Sequence, residues 1–231
     1  MATVLVTGSN KGIGFELVKE FSANGWDIIA CCRKPKKADD LQNLTKNNKN
    51  IEIHKLDVED FAGIDNLAEQ LKNRSIDVLI NNAGDYGNKD GQYFGNVDYK
   101  SWKQTFKINT QAPIKMGEAF ITQIEKSGKK ILATITSMMG SISLNDNGNE
   151  IIYRSTKGAA NMALKCAANV LKEKGITVLI LHPGWVKTDM GGPDAPVLPV
   201  ESAKGLFNVI TNADINKTGN FITYNGELLP W

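Results

Sequence analysis

Tyr153 and Lys157 lie four residues apart in the segment EIIYRSTKG, which spans Glu150–Gly158. On an α-helix this spacing places both side chains on one face, one above the other. A free tyrosine has a pKa near ~10, and a neighbouring ammonium stabilises the phenolate and lowers that pKa. The pair is therefore a candidate for general acid catalysis. The same spacing also arises on ordinary helices as a surface contact. Other parts of the chain are therefore needed to choose between a catalytic pair and a surface contact.

The composition is ordinary for a globular protein with a sizeable core. The chain has 231 residues, of which 42% are hydrophobic and 23% charged, and its net charge is +2. So small a net charge does not favour nucleic acid or an anionic membrane as a partner. No apolar run has the length of a membrane span, and the N-terminus lacks the features of a signal peptide.

The three cysteines, Cys31, Cys32 and Cys166, have no paired spacing that would indicate a disulfide framework. Cys31 and Cys32 are adjacent in an apolar run and should point to opposite faces of a strand. We therefore expect buried, reduced thiols and a cytoplasmic protein. With only two histidines and no Cys/His/Asp cluster, we expect no catalytic metal.

A glycine-rich loop follows the first predicted strand. Thr3–Val6 is typical of a strand buried on both faces, and the motif TGSNKGIG at Thr7–Gly14 leads into a helical pattern. Gly8, Gly12 and Gly14 remove Cβ atoms where a backbone must approach a phosphate, and the N-terminus of a helix attracts an anion. A plain turn is the alternative, but the order of strand, glycine loop and helix favours a nucleotide site.

Basic residues follow the second predicted strand, Trp26–Cys32. Arg33 stands at the position that faces the adenosine ribose in dinucleotide-binding folds, where a basic residue accommodates a 2′-phosphate. Arg33, together with Lys11 of the glycine loop, therefore favours NADP over NAD. For the lysines that follow Arg33 in the run RKPKK, a solvated basic turn is an equally good explanation.

Strands and helices alternate along the whole chain. Further strands are predicted at Ile51–Leu56, Ile76–Ile80, Lys130–Ile135, Ile176–His182 and Asn220–Tyr224. Helices are predicted at Phe15–Phe21, Ala38–Lys46, Phe61–Leu71, Tyr99–Lys126, around Tyr153 and at Glu201–Thr211, and the segment Asp85–Asp98 is predicted to be a polar loop. This alternation predicts one domain over residues 1–231, a Rossmann-like three-layer α/β/α sandwich with a seven-stranded parallel sheet.

Polar residues follow three of these strands, at the edge of the sheet where open parallel sheets bind ligands. Asp57 could accept a hydrogen bond from an adenine amino group, although a helix N-cap explains it equally well. The motif NNAG at Asn81–Gly84 could bond the backbone across a split in the sheet and admit a flat ligand, or form a simple turn. Ser137 follows the fifth strand and is either a site residue or a turn serine.

Asn109 lies inside the long predicted helix Tyr99–Lys126. Pro113 should disturb the hydrogen-bond ladder just after Asn109. A polar asparagine at such a defect can use the freed carbonyls and hold a water, or it can break the helix without a further role. Taken alone, the residue favours the second explanation.

Together, these residues resemble the short-chain dehydrogenase/reductase family in its compact single-domain form, over essentially the whole chain. The resemblance rests on seven motifs in family order: TGSNKGIG at Thr7–Gly14, Asp57-Val58, NNAG at Asn81–Gly84, Asn109, Ser137, Tyr153 with Lys157, and PGWVKT at Pro183–Thr188. The tail FITYNGELLPW and the short segment after Thr188 are similar to the sniffer and C-factor branch of NADPH-dependent carbonyl reductases.

The resemblance implies a role for each catalytic residue. Tyr153 would donate a proton to a carbonyl oxygen, and Lys157 would lower the tyrosine's pKa and hold the nicotinamide ribose. Ser137 would orient the carbonyl, and Asn109 would support a water that links Lys157 to solvent. The expected reaction is NADPH-dependent reduction of aldehydes, ketones or quinones to alcohols.

The resemblance also implies a binding site for NADP. Its residues would be Gly8, Asn10, Lys11, Gly12, Ile13, Gly14, Arg33, Asp57, Val58, Asn82, Ala83, Gly84, Tyr153, Lys157, Pro183, Gly184, Val186 and Thr188. Arg33 and Lys11 would meet the 2′-phosphate, the segment Asp57-Val58 the adenine, and Val186 with Thr188 the carboxamide.

Two features leave the substrate open. The stretch between Ser137 and Tyr153 is slightly longer than is common in the family, and the segment after Thr188 is short, so we expect an open site that accepts small or varied carbonyl compounds. An NADP-binding regulatory protein with little turnover is the alternative function, and the complete Ser, Tyr, Lys and Asn set argues against it. The oligomeric state stays open between a monomer, a homodimer and a homotetramer.

Overall fold

The computed structural model describes residues 1–231. Its central sheet consists of β1 (Thr3–Thr7), β2 (Asp27–Cys32), β3 (Ile51–Lys55), β4 (Val78–Asn81), β7 (Ile131–Ile135), β8 (Thr177–His182) and β9 (Phe221–Thr223). The strand order is β3-β2-β1-β4-β7-β8-β9, and every neighbouring pair is parallel. The chain therefore reverses its direction of travel across the sheet between β1 and β4, and ligands bind at such a switch point.

Helices cover both faces of the sheet. They are α1 (Gly12–Ala23), α2 (Asp39–Asn47), α3 (Phe61–Gln70), α4 (Tyr99–Phe106), α5 (Ala112–Ala119), α6 (Ile121–Glu125), α7 (Ile151–Leu171) and α8 (Pro199–Thr211). Two apolar cores of 23 buried residues each flank the sheet. The predicted Rossmann-like sandwich with a seven-stranded parallel sheet is confirmed. None of the helices combines the length and the apolar character needed to cross a membrane.

The cysteines follow the prediction only in part. Cys31 packs in one core and Cys32 in the other, because adjacent residues of β2 point to opposite faces of the sheet. Cys166 is exposed, so its predicted burial is wrong. It lies on the outer face of α7, between the buried residues Leu164 and Ala168.

The predicted helix Tyr99–Lys126 is divided into α4, α5 and α6. A π-helical turn at Lys107–Gln111 separates α4 from α5, and Asn109 is buried within this turn. Pro113 lies in the first turn of α5. The predicted defect near Asn109 is confirmed, since a proline provides no N–H and its ring crowds the carbonyl four residues earlier.

The segment Asp85–Asp98 is more ordered than the predicted polar loop. It contains a small antiparallel hairpin of β5 (Gln92–Tyr93) and β6 (Asn96–Val97). Strands of two residues are too short to show a hydrophobic alternation, so the sequence pattern could not reveal them. The hairpin lies next to the beginning of α7, where Tyr153 is located.

Candidate active site

A cavity of about 720 Å³ extends along the carboxyl edge of the sheet, across the switch point. Sixteen of the predicted site residues line it: Gly8, Asn10, Lys11, Gly12, Ile13, Gly14, Arg33, Asp57, Val58, Asn82, Ala83, Gly84, Tyr153, Lys157, Pro183 and Thr188. Residues from distant parts of the chain converge here because parallel strands place all their carboxyl ends at one edge.

Four predicted residues lie outside the cavity lining, namely Ser137, Asn109, Gly184 and Val186. Val186 is buried and pairs with Val197 in an isolated bridge. Gly184 adopts φ +88°, and a Cβ there would come within 3.0 Å of the ring of Tyr224. These two residues shape the turn behind the wall of the cavity.

The glycine loop packs directly on the segment after β4. The Asn82 side-chain amide donates to the carbonyls of Thr7 at 2.9 Å and of Gly8 at 3.2 Å. A Cβ on Gly14 would overlap the Gly8 carbonyl and the Asn82 amide, so this position excludes every side chain. Lys11, the N-cap residue of α1, makes no side-chain cap, which leaves the first N–H groups of this helix directed at the cavity.

The basic residues of the cavity have an acidic neighbour that the sequence pattern did not indicate. Arg33 is exposed, and the Lys11 ammonium contacts the Asp189 carboxylate at 2.6 Å. The hydrogen bond and charge of Lys11 lower the pKa of Asp189. Lys11 therefore shares its charge with a carboxylate at the cavity rim, whereas Arg33 forms no ion pair within the chain.

Asp57 is not a helix cap. The residue that caps α3 is Asp60, whose carboxylate accepts from the Gly63 N–H at 3.0 Å. The Asp57 carboxylate accepts from the Glu59 N–H at 3.1 Å, and Asp57 lines the cavity. The N-cap explanation for Asp57 is therefore wrong, because the helix begins three residues later than it requires.

Tyr153 and Lys157 lie on one face of α7 at the wall of the cavity, with exposed fractions of 8% and 5%. The Lys157 Nζ donates to the Ile135 carbonyl at 3.0 Å and lies 5.8 Å from the centre of the Tyr153 ring. Burial lowers the pKa of Lys157 to about 8. The two groups share a face, as predicted, without a direct hydrogen bond.

The predicted lowering of the Tyr153 pKa is not seen. Burial raises the pKa of Tyr153 to about 12, and the Ser137 hydroxyl acts in the opposite direction. Removal from water disfavours the phenolate more than the neighbouring polar groups favour it. Tyr153 is therefore a weaker acid than a free tyrosine, and its hydroxyl is protonated at neutral pH.

Ser137 is buried beside Tyr153, directly after β7. Its Oγ accepts from the Met139 N–H at 3.1 Å, so its own proton is available to another acceptor. The next N–H, of Met138, donates to Nδ1 of His182 at 3.2 Å. Burial lowers the pKa of His182 to about 4, which keeps the ring neutral and Nδ1 able to accept. His182 thereby fixes the backbone next to Ser137.

Asn109 joins three elements of the site. Its Nδ2 donates to the Asp85 carbonyl at 2.7 Å and to the Thr156 hydroxyl at 3.0 Å, and its Oδ1 accepts from the Asp85 N–H at 2.9 Å. Asn109 therefore ties the loop after β4 to α7. The predicted water between Asn109 and Lys157 stays a prediction.

A model of the short chain dehydrogenase family matches residues 2–196. The chain belongs to the short-chain dehydrogenase family. The C-signal protein of Myxococcus xanthus is 38% identical over 156 residues, which cover 68% of this chain and 93% of that protein. The carbonyl reductase Sniffer of D. melanogaster superposes with a TM-score of 0.93 at 31% identity, over 100% of both chains. The NADPH-bound carbonyl reductase from chicken fatty liver has a TM-score of 0.92 at 34% identity, over 100% of this chain and 99% of that one.

These comparisons confirm the predicted family and the resemblance to carbonyl reductases of the Sniffer kind. The chain is an oxidoreductase of the short-chain dehydrogenase family. In this member, no group of three or more His, Cys, Asp and Glu side chains is arranged to hold a metal ion.

Three further residues at the site were not predicted, and they share the segment Asp85–Asp98. Tyr86 and Lys89 line the cavity, and the Tyr86 ring stacks on the Tyr153 ring with 4.8 Å between centres. Gln92 bonds the backbone of Tyr153. The one signal in the sequence was the position of Tyr86, an aromatic residue two places after the NNAG motif.

Proposed function

We propose that this chain is an NADPH-dependent carbonyl reductase that converts aldehydes, ketones or quinones to alcohols. The observation that carries the proposal is a single cavity that extends from the glycine loop and Arg33 to Tyr153 and Lys157, with Ser137 beside Tyr153. A dinucleotide needs such an elongated site, in which the N-terminus of a helix binds the phosphates. The reduction of a carbonyl group needs a proton donor further along the same cavity.

The residues of the cavity fit NADPH. The missing Cβ of Gly14 and the uncapped start of α1 suit a pyrophosphate, and Arg33 and Lys11 suit the 2′-phosphate. The residues at Asp57 and Asn82–Gly84 would hold the adenosine part, and Thr188 with the turn of Val186 would hold the nicotinamide carboxamide. The cofactor supplies the hydride when bound, and the protein supplies the position and the proton.

Tyr153 is the proposed proton donor. Its raised pKa keeps the hydroxyl protonated across the physiological range, which is the form that a donor in carbonyl reduction requires. The Ser137 hydroxyl, whose acceptor side is occupied by the Met139 N–H, would donate to the same carbonyl oxygen. The Lys157 cation would hold the nicotinamide ribose and stabilise the tyrosinate that remains after proton transfer. Asn109 would hold the water through which Lys157 exchanges protons with solvent.

The proposed substrate is a small carbonyl compound. The short segment after Thr188 offers few residues to close over a bulky ligand. Turnover of only one large substrate, such as a steroid, would contradict this part of the proposal. We further propose a cytoplasmic location, because the three cysteines are free thiols and a reducing compartment keeps them so.

The first test is binding of NADPH and NADH to the purified protein, followed by NADPH oxidation with aldehydes, quinones and diketones. Tyr153→Phe removes one hydroxyl and should reduce kcat by roughly 100-fold or more, with NADPH affinity unchanged. Tyr99→Phe, the same change at an exposed residue of α4, is the control and should leave kcat unchanged.

Two results would count against the proposal. Tight NADPH binding with no turnover of any carbonyl compound would favour a regulatory, dinucleotide-binding role. A clear preference for NADH would contradict the role of Arg33 and Lys11 as partners of a 2′-phosphate.

A further inference from the structure

The helix that carries Tyr153 begins without a cap of its own. Its N-cap residue, Glu150, has left-handed backbone angles of φ 56° and ψ 39°, and its side chain accepts no N–H of the first turn. The first N–H groups of a helix have no partner within it, and a buried one without a partner is destabilising. The N–H of Tyr153 is one of these, and it finds its acceptor elsewhere in the chain.

That acceptor is the side chain of Gln92, in the hairpin of β5 and β6. Its Oε1 accepts from the Tyr153 N–H at 3.0 Å, although the two residues are 61 positions apart. Gln92 is only 1% exposed. The other end of the same amide, Nε2, donates to the Tyr86 carbonyl at 2.9 Å. One buried amide therefore connects the backbone of Tyr153 with the backbone of Tyr86.

The side chain of Tyr86 also contacts Tyr153, through its ring. The rings of Tyr86 and Tyr153 stack with 4.8 Å between centres and an angle of 29°. The intervening backbone lies close to α7, since a Cβ on Gly87 would come within 3.0 Å of Ile152. Tyr153 is thus held at two points, by its N–H and by the face of its ring.

We propose that Gln92 is a positioning residue for Tyr153, which fixes the start of α7 and holds the Tyr86 ring against the Tyr153 ring. This inference rests on the proposed function, in which the Tyr153 hydroxyl donates the proton. A donor has to lie within hydrogen-bond reach of the carbonyl oxygen, and a misplacement of about 1 Å can cost roughly 100-fold in rate. Gln92 touches neither substrate nor cofactor in this proposal and acts only through the two tyrosines.

The test is the steady-state kinetics of Gln92→Met, which keeps the length of the side chain and removes both hydrogen bonds. We expect kcat to fall by roughly 10- to 100-fold, with the Kd for NADPH within about twofold of wild type. The amide of Tyr153 should also exchange with deuterium faster, because it has lost its acceptor. Gln92→Glu keeps an acceptor for the Tyr153 N–H and should recover part of kcat.

The control is Asn96→Ala, in the other strand of the same hairpin. Asn96 donates to the Asp90 carbonyl and bonds neither tyrosine, so kcat should not change. If Gln92→Met does not bind NADPH, Gln92→Asn replaces it, since its shorter side chain cannot reach both partners. Faster exchange at Tyr153 with an unchanged kcat would overturn the proposal, and so would equal losses in the Asn96 and Gln92 variants. A wild-type protein without carbonyl turnover would contradict the proposed function instead, while the exchange experiment would still test the contact.

Discussion

Replacing Lys157 with methionine should make the protein more stable at neutral pH while it removes the proposed activity. Burial lowers the pKa of Lys157 from 10.5 to about 8, so the folded state disfavours the ammonium by about 3 kcal/mol at pH 7. Methionine avoids this penalty and fills a similar volume. The Ile135 carbonyl loses the Lys157 hydrogen bond, which costs about 1 kcal/mol. The expected net gain in the free energy of unfolding is about 2 kcal/mol.

The stability difference between Lys157→Met and wild type should depend on pH. Below pH 8, Lys157 is protonated in the folded and unfolded states alike, and the full penalty is present. Between pH 8 and 10.5 the folded protein has already released the proton that the unfolded chain still binds, so wild-type stability rises with pH. The advantage of Lys157→Met should therefore be about 2 kcal/mol at pH 7 and close to zero near pH ~9.5.

The assay is urea unfolding of both proteins at a series of pH values, with NADPH oxidation measured in parallel. Lys165→Met is the matched control, because Lys165 lies on the same helix and also donates to a backbone carbonyl, that of Gly219, at 3.0 Å. Lys165 is only partly buried, so this control should lower stability at pH 7 by about 1 kcal/mol. The reasoning is refuted if Lys157→Met is less stable than wild type at pH 7, or if the difference does not change with pH.

Two further substitutions test the cofactor part of the cavity. Gly14→Ala places a Cβ against the Gly8 carbonyl and the Asn82 amide, so it should weaken NADPH binding at least tenfold and destabilise the fold by about 1–3 kcal/mol. NADPH titration measures the affinity, and urea unfolding measures the stability. Gly148→Ala is the control, because a Cβ at Gly148 would meet no other atom within 4 Å. Asp189→Asn frees Lys11 from its carboxylate and should tighten NADPH binding a few-fold at low salt, with little effect on NADH. Equal effects on both cofactors would show that Lys11 does not meet the 2′-phosphate.

The sequence was most informative where a motif directly follows a strand. Gly8, Arg33 and Asn82 come after β1, β2 and β4, and the parallel sheet then brings these positions to one edge without any further information. Short apolar runs predict the strands, and the parallel topology predicts the convergence. This is why residues far apart in the chain could be assigned to one cavity.

The contacts that sequence reasoning missed depend on tertiary structure. Gln92 lies in a strand of two residues with no period to read, and its bond to Tyr153 exists only because the hairpin packs on α7. Asp189 reaches Lys11 from a loop 178 positions away. The pKa of Tyr153 followed burial rather than the neighbouring charge, and the depth of burial of a residue at the start of a helix cannot be read from its spacing.

The end of β7 holds two of the proposed catalytic residues, Ser137 and Lys157. The Ile135 carbonyl holds the Lys157 ammonium, and Ser137 follows two residues later on the same strand end. Between them, the Thr136 N–H donates to the Leu181 carbonyl at 2.7 Å, which extends the pairing of β7 with β8 beyond the strand itself. β7 is hydrogen-bonded to β4 on one side and to β8 on the other, so two neighbouring strands hold its end.

The hairpin that carries Gln92 has a different attachment. It pairs with no strand of the central sheet, and a side-chain amide links it to Tyr153. Changes in the segment Asp85–Asp98 should therefore alter both the cavity wall formed by Tyr86 and the position of Tyr153, while Ser137, which follows β7, stays in place. The end of β7 thus holds Ser137 and the Lys157 ammonium, whereas the segment Asp85–Asp98 forms the Tyr86 wall of the cavity and contacts Tyr153 through Gln92.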